Sequence, residues 1–599
     1  MVDAAPTAPT PTAPTAIAAG SAAAGPAAPS TTTPAAPTRG SRRAASAWLL
    51  LVWRWVAPGG PAEDPRSRWA TAVVAGCLTV AVLLLHLFVP TVVGMGDQGD
   101  GQRLMCAFGV ANAAPYDYTA STQYVFTQWV PHRWAGEACG AGGSGEPYVS
   151  SQMLLVWPAV VLTPLFGWGD GIDTRAVGIV CVLLLGVLIA LFVAFLPGRP
   201  LFRLIAAALV VAVVGDGVFA RFFVSPYSEA ACFLGVLAMV VSLLAMWRRG
   251  DPTWWGMLLF ALATAFTITA KTQMVALLPA AALALLWSPL RSRSQRAPRP
   301  RGRVVPRLVG GSLVVVLAAV AVGYAAVQPR HFALLNTYNA VFVEMLPHSP
   351  DPEGDLRWFG LPADWASSSG TTVASENAAV HRPDFPRFTE EVSQGRIALF
   401  YVTHPARLVG MADRGLEAMT QPVLGYVGAY PPDVGAEPWQ QEHRFPFVVV
   451  LSALLGTVPF AIVLLQIVAL ALGLGLAFRR RQLGDRAAAF GATVVVTTVA
   501  TWAQFWAVML SEGASEIYKH LLVTDLLNML LLVSIPLSAA LLARRIATPR
   551  SGSARGARRR TAPVRRATHL EPQGAVRRSA HRAPRRLDRP RPTASGGTR

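Results

Sequence analysis

Ten apolar runs, each near or above the length that crosses a bilayer, constrain this chain more than any motif does. A helix needs roughly 20 apolar residues to span the hydrocarbon core. Runs of that kind lie at 69–93, 174–196, 202–219, 226–247, 254–270, 272–289, 307–327, 446–477, 488–510 and 521–543. With 53% hydrophobic and only 14% charged residues, a water-soluble globule is excluded. The expected fold class is an all-α polytopic membrane protein with about ten transmembrane helices, because helices satisfy every backbone polar group internally.

An even number of spans puts both ends on one side. Arg66 and Arg68 before the first run, Arg199 and Arg203 after the second, Arg248 and Arg249 after the fourth, and the arginines between 291 and 307 after the sixth share that side. So do Arg479, Arg480 and Arg481 after the eighth, and a basic tail after the tenth. The bias of arginine toward the cytoplasm makes both termini cytoplasmic. An eleventh stretch, Met153–Gly167, is interrupted by Pro158 and Pro164. It is too short to cross, so it is expected to lie on or dip into the outer membrane face. Dividing 254–289 near Ala270-Lys271-Thr272 preserves the parity; one long helix breaks it.

The formal charge of +19 suggests a nucleic-acid partner until it is located. Residues 544–599 hold 17 arginines against Glu571 and Asp588, without the interleaved aromatics that stack on bases. This tail reads as a disordered cytoplasmic anchor for anionic lipids, and no nucleic acid is expected. Residues 1–45, rich in Ala, Pro and Thr, read as a disordered cytoplasmic leader. Between them lie a module at 69–327 with a large outer loop at 94–150, a segment at 328–444 expected to fold as a small mixed extracytoplasmic domain, and closing spans at 445–543. Cys106 and Cys139 share the first outer loop, where a disulfide is expected. Cys77, Cys181 and Cys232 fall in apolar runs.

On this topology the outer ends collect unusual polar residues. Asp97, Asp100 and Arg103 follow the first run; Asp216, Arg221, Tyr227 and Glu229 lie between the third and fourth; Lys271 and Gln273 sit between the fifth and sixth. Glu512, Glu516, Lys519 and His520 lie between the ninth and tenth. Each is expensive at membrane depth unless paired or facing water, and structural pairing of Lys271 or Lys519 with Glu229 or Glu516 is the plainer reading of any one of them. Asp216 beside two glycines reads as a helix cap. Carboxylates and cations gathered on one face suit deprotonation of a hydroxyl while a phosphate departs.

The acidic pair after the first run, Arg221 followed by Pro226-Tyr227-Ser228-Glu229, Thr269-Ala270-Lys271-Thr272 leading to Leu278-Pro279, and Glu516-Ile517-Tyr518-Lys519-His520-Leu521 together resemble the GT-C superfamily. Its members are polytopic glycosyltransferases that use polyprenyl-phosphate sugars, and the last motif resembles a pattern in bacterial glycan-biosynthesis hexose transferases. The resemblance covers 69–289 and 446–543. It implies that Asp97 or Asp100 is the general base, and that Arg103, Arg221, Lys271 and Lys519 contact the donor phosphate. It further implies that Tyr227, Glu229, Gln273, Glu516 and His520 bind substrate, and that Met153–Gly167 is the interfacial helix. The acceptor it implies is a cell-envelope glycan or lipid-linked hydroxyl at the plasma membrane, with the site extracytoplasmic. It names no certain cofactor; the Asp-x-x-Asp spacing, wider than that superfamily's usual pair, puts a divalent metal in doubt. A transporter or lipid-linked glycan flippase, which typically has internal repeats and midplane charge, and a non-catalytic envelope scaffold are the competing readings.

Overall fold

The computed structural model describes residues 64–113, 118–131, 148–250, 252–287 and 301–547. The leader, the tail beyond 547, the arginines at 291–299 and Cys139 lie outside the described residues. The first span, α1 (Pro65–Phe88), is followed by the short α2 (Asp100–Met105) and the apolar α3 (Met153–Leu165). Then come α4 (Thr174–Phe195), α5 (Pro200–Val214), α6 (Glu229–Trp247), α7 (Trp254–Ile268), α8 (Leu278–Leu286) and α9 (Arg301–Ala326). After a long insert, α10 (Phe447–Gly456), α11 (Ala461–Phe478), α12 (Asp485–Ser511) and α13 (Leu522–Ala547) complete the chain.

The fold is an all-α polytopic membrane protein, and its helices are amphipathic in a membrane's sense. On α1, Ala72, Ala75, Gly76, Thr79, Leu83 and Leu87 form the buried stripe, at the spacing of one helical face. Val74, Leu78, Val82 and Leu85, all apolar, remain exposed on the other face. An apolar outer face is what hydrocarbon demands and water penalises.

Among the described residues, seven helices are long and apolar enough to cross a membrane, or eight if a bent pair counts as one span. This revises the expectation of ten, because the runs at 202–219, 254–270 and 272–289 form no unbroken helix of that length. The run at 202–219 bends by 59° between α5 and Gly217–Val224. There the Asp216 carboxylate accepts from Val218 N at 2.9 Å, as the expected cap, and from Val448 N at 2.6 Å, tying the bend to α10. The 254–289 region is interrupted by a 3-10 turn at Thr272–Leu277, leaving α7 and α8 each shorter than a span. The run at 446–477 separates into α10 and α11 around Pro459, which has no backbone N–H to continue a helix.

Without a hydrophobic drive between helices in lipid, close packing depends on small residues. A Cβ on Gly76 of α1 would lie 2.6 Å from the Gly186 carbonyl oxygen of α4, and one on Gly491 of α12 would lie 2.5 Å from the Gly473 carbonyl oxygen of α11. Gly491→Val is therefore expected to push α11 off α12 and cost about 1–3 kcal/mol, the usual cost of overpacking, read as a lowered melting temperature in detergent.

Two regions at one end of the bundle cap it. The first loop carries two strands, β1 (Val110–Asn112) and β2 (Gln128–Pro131), which β3 (Ile172–Asp173), after α3, completes into a three-stranded antiparallel sheet in the order β1-β2-β3. The 328–444 segment was expected to be mixed, but among its described residues it contains short helices and no strand. Its own core is aromatic: Tyr338, Phe342, Phe385 and Phe388 pack with ring centres 4.5 to 6.4 Å apart. Its end threads along the first loop, with Gly96 N donating to Gly428 O at 3.0 Å and Gly428 N to Thr122 O at 2.7 Å. The insert and the acidic loop are therefore fixed to each other.

Candidate functional site

Asp97 and Asp100 are three residues apart and face different surroundings. The Asp97 carboxylate is buried under the start of α2, where it accepts from the backbone N–H groups of Gly99 at 3.1 Å, Gly101 at 2.9 Å and Gln102 at 3.1 Å. Burial raises its pKa to about 6, against the pull of the Gly101 N–H. It organises the turn and does not line the cavity beyond it. Asp97→Ala orphans those N–H groups and is expected to cost about 2 kcal/mol, as loss of a strong helix cap does, measured by thermal unfolding.

Asp100 instead opens onto a polar cavity of about 340 Å³. Lys519 and Arg103 both pair with it, Arg103 at 3.1 Å. Burial works to raise the Asp100 pKa, but the charges of Lys519, Arg103 and Lys271 outweigh it and hold the carboxyl well below its usual range. Lys519 is itself buried and lies 3.4 Å from Glu516 Oε2. Burial opposes its charge, yet Asp100 and Glu516 keep its pKa well above that of a free lysine. Glu516 also accepts from the Gln98 amide and adopts a left-handed φ of 42°, a strained conformation for a residue other than glycine.

The other cation, Lys271, sits in the break between α7 and the 3-10 turn. It pairs at 2.8 Å with Glu229, the first residue of α6. His520 is fixed by Gln273: its Nδ1 lies 3.1 Å from Gln273 Oε1, while Gln273 Nε2 donates to the His520 carbonyl at 3.2 Å. Burial, with the nearby charges of Lys271 and Lys519, keeps His520 neutral.

The cavity thus gathers Asp100, Arg103, Lys271, Glu516, Lys519 and His520, from segments more than 400 residues apart in sequence. Behind this lining stand Glu229, Gln273 and Tyr227, whose hydroxyl accepts from Gln98 N at 2.7 Å. Arg221 is elsewhere: it is buried, with Nη1 donating to Gln441 Oε1 at 2.5 Å, and does not line the cavity. Cys106 is disulfide-bonded, while Cys77, Cys181 and Cys232 are free. Among the described residues, no group of three or more His, Cys, Asp or Glu side chains is arranged to hold a metal ion.

The rest of the wall comes from residues that sequence patterns did not single out. Tyr148 lines it, as do Phe332, Asn336, Asn339 and Thr372 of the insert. Asn339 donates to Ser515 Oγ at 3.1 Å and opens a π-helical turn, Asn339–Met345, a distortion common at functional sites. The only sequence signal for this wall was the run Asn336-Thr337-Tyr338-Asn339, polar residues within an otherwise apolar stretch.

Directly beside the polar cavity runs an open apolar groove of about 770 Å³. α3 supplies Met153, Leu154 and Trp157 to it, α9 supplies Val320, Gly323 and Tyr324, and Phe108 joins them. The partition between groove and cavity is the strand of chain 148–151, held to the α7 break by Ser150 Oγ donating to Ala270 O at 2.6 Å and Ser151 N to Thr269 O at 2.9 Å. Trp157 and Leu154 are two-thirds exposed, as expected for side chains that meet lipid.

A helical bundle whose ionisable groups pool in one cavity at one end, next to an apolar groove, defines a polytopic membrane protein with a polar site. Residues 63–547 match the family described as YfdI N-terminal transmembrane domain, and the chain belongs to that family. Neither a curated protein nor a solved structure matches the chain.

Proposed function

We propose that the protein is a membrane glycosyltransferase of the GT-C type that moves a sugar from a polyprenyl-phosphate donor to a hydroxyl acceptor, on the extracytoplasmic face of the plasma membrane, in cell-envelope glycan biosynthesis. The observation that carries this reading is the adjacency of the cationic cavity and the apolar groove. A lipid-linked phosphosugar has an anionic head and a long hydrocarbon tail, and the two compartments match those two parts. Lys519, Arg103 and Lys271 converge where a departing phosphate would need charge, and fixed cations in a partly dry site stabilise it more than water does. The phosphate leaves without a general acid; one base for the acceptor hydroxyl completes the chemistry. α3 serves in this reading as the interfacial helix beside which the tail enters.

A transporter would move the same substrate without altering it, and the pooling of charge at one end favours chemistry over passage. The test incubates purified protein with radiolabelled polyprenyl-phosphate hexoses or pentoses and membrane extract, with Asp97→Asn and Asp100→Asn in parallel. Label appearing in glycan supports the transferase. Donor left intact while labelled lipid crosses liposomes establishes transport instead.

A further inference from the structure

The cavity holds three carboxylates, and two of them are occupied. Asp100 is pinned by Lys519 and Arg103; Glu516 accepts from Gln98 and lies beside Lys519. Each lone pair committed to a cation is poorly placed to receive a proton. Glu512, the residue that ends α12, differs. Among the described residues no lysine or arginine pairs with it, although it lines the same cavity.

The side chains nearest its two oxygens are neutral. Glu512 Oε2 lies 3.5 Å from His520 Nε2. With its amide oriented to donate, Asn336 reaches Glu512 Oε1 at 3.2 Å. In the tautomer that donates Nδ1–H to Gln273 Oε1, the Nε2 lone pair of the neutral ring faces Glu512 and accepts a hydrogen bond only once that carboxyl has taken up a proton. The charged groups that act on Glu512 are Lys271, Glu516, Lys519 and Asp100. Glu344 packs against Gly513, one residue beyond.

We propose that Glu512, rather than either aspartate of the first loop, takes the proton of the acceptor hydroxyl, with His520 as its positioning residue. In this step the acceptor O–H proton passes to the Glu512 carboxylate and the acceptor oxygen forms a bond to the anomeric carbon. The anomeric C–O bond to phosphate breaks, and its electron pair stays on the phosphate oxygen, facing Lys519 and Lys271. Asp100 then has a different task, which is to hold Lys519 and Arg103 in place. The inference rests on the transferase reading and names the base of that same cavity.

The electrostatics agree with the geometry. Burial, aided by the negative charge of Glu516 and resisted by Lys271, raises the Glu512 pKa to about 7. A base works best with a pKa near the operating pH. Glu512 must be ionised to act, so activity should rise with pH through about 7 and level off above it.

The experiment measures the initial rate of transfer from a radiolabelled polyprenyl-phosphate hexose or pentose, limiting in donor, with membrane extract as acceptor, across pH 5 to 9. Wild type, Glu512→Gln, Glu512→Asp and His520→Asn are compared, with melting temperature and donor binding measured on each. Glu512→Gln should bind donor as wild type does and lose transfer by roughly 10²–10⁴-fold. Glu512→Asp should recover part of the rate with its pH limb displaced, and His520→Asn should shift the limb while leaving donor binding intact. Transfer within tenfold of wild type in Glu512→Gln, or an unmoved limb in Glu512→Asp, overturns the assignment of the base while leaving the transferase standing. Absence of any transfer by folded wild type that binds donor removes the transferase reading, and this inference with it.

Discussion

Lys519→Met is expected to lower sugar transfer by about 10³-fold, the upper end of what loss of one preorganised charge-stabilising group costs. Two effects add. The side chain is buried and its Nζ is the shared partner of Asp100 and Glu516, so its removal leaves Glu516 without its cation and Asp100 with Arg103 alone. It also withdraws positive charge from the place where the phosphate's negative charge grows. Asp100 and Glu516 are each more than a third exposed, so water can solvate them and the fold should survive. Lys519→Arg should restore little, because a planar guanidinium cannot occupy the position of a compact ammonium. The check is transfer rate beside melting temperature: a collapse of both, in place of a selective loss of rate, would make Lys519 a structural residue.

The second large effect is expected in the insert. Arg414 pairs with Glu344, whose side chain is 1% exposed and whose Oε2 has no partner among the described residues. Arg414→Ala leaves that carboxylate buried and uncompensated, which typically costs 3–5 kcal/mol. Arg414 is itself 29% exposed, so water can enter and the lower end, about 3 kcal/mol, is expected. Adding Glu344→Gln should recover much of the loss, because an uncharged amide tolerates burial better than an unpaired charge. Thermal unfolding of the two single variants and the double variant measures this coupling. Because Glu344 also packs against Gly513, beside Glu512, the single variant should slow transfer as well, and the double variant should restore both properties together.

These two residues illustrate how differently the parts of the molecule were legible. Lys519 lies in a short polar interval between two apolar runs, where any ionisable residue is conspicuous. Arg414 and Glu344 lie in a segment whose apolar residues are too interrupted to assign elements, and its helices are set by an aromatic core assembled from residues 338 to 388. The broken runs were misjudged for a related reason. Hydropathy measures whether a stretch can leave water, and 446–477 and 202–219 both can; whether it continues as one helix depends on Pro459 and on Asp216, whose carboxylate caps the turn after it and accepts from Val448 of α10, 232 residues away.

The amino-acid sequence alone determined that the chain lives in a membrane as helices, because burial of apolar length in hydrocarbon is a local and additive property. It also determined which short intervals hold charge, and seven ionisable residues drawn from them line one cavity. Only the tertiary structure decided what each does there. Asp97 and Asp100 read alike in sequence, yet one caps a turn and the other meets two cations. Arg221 was aimed at the phosphate and instead reaches Gln441. Glu512, one carboxylate among several, is the one no cation claims among the described residues. The reason is that charge pairing is set by the directions of side chains from distant segments, and those directions exist only once the helices and the insert have packed.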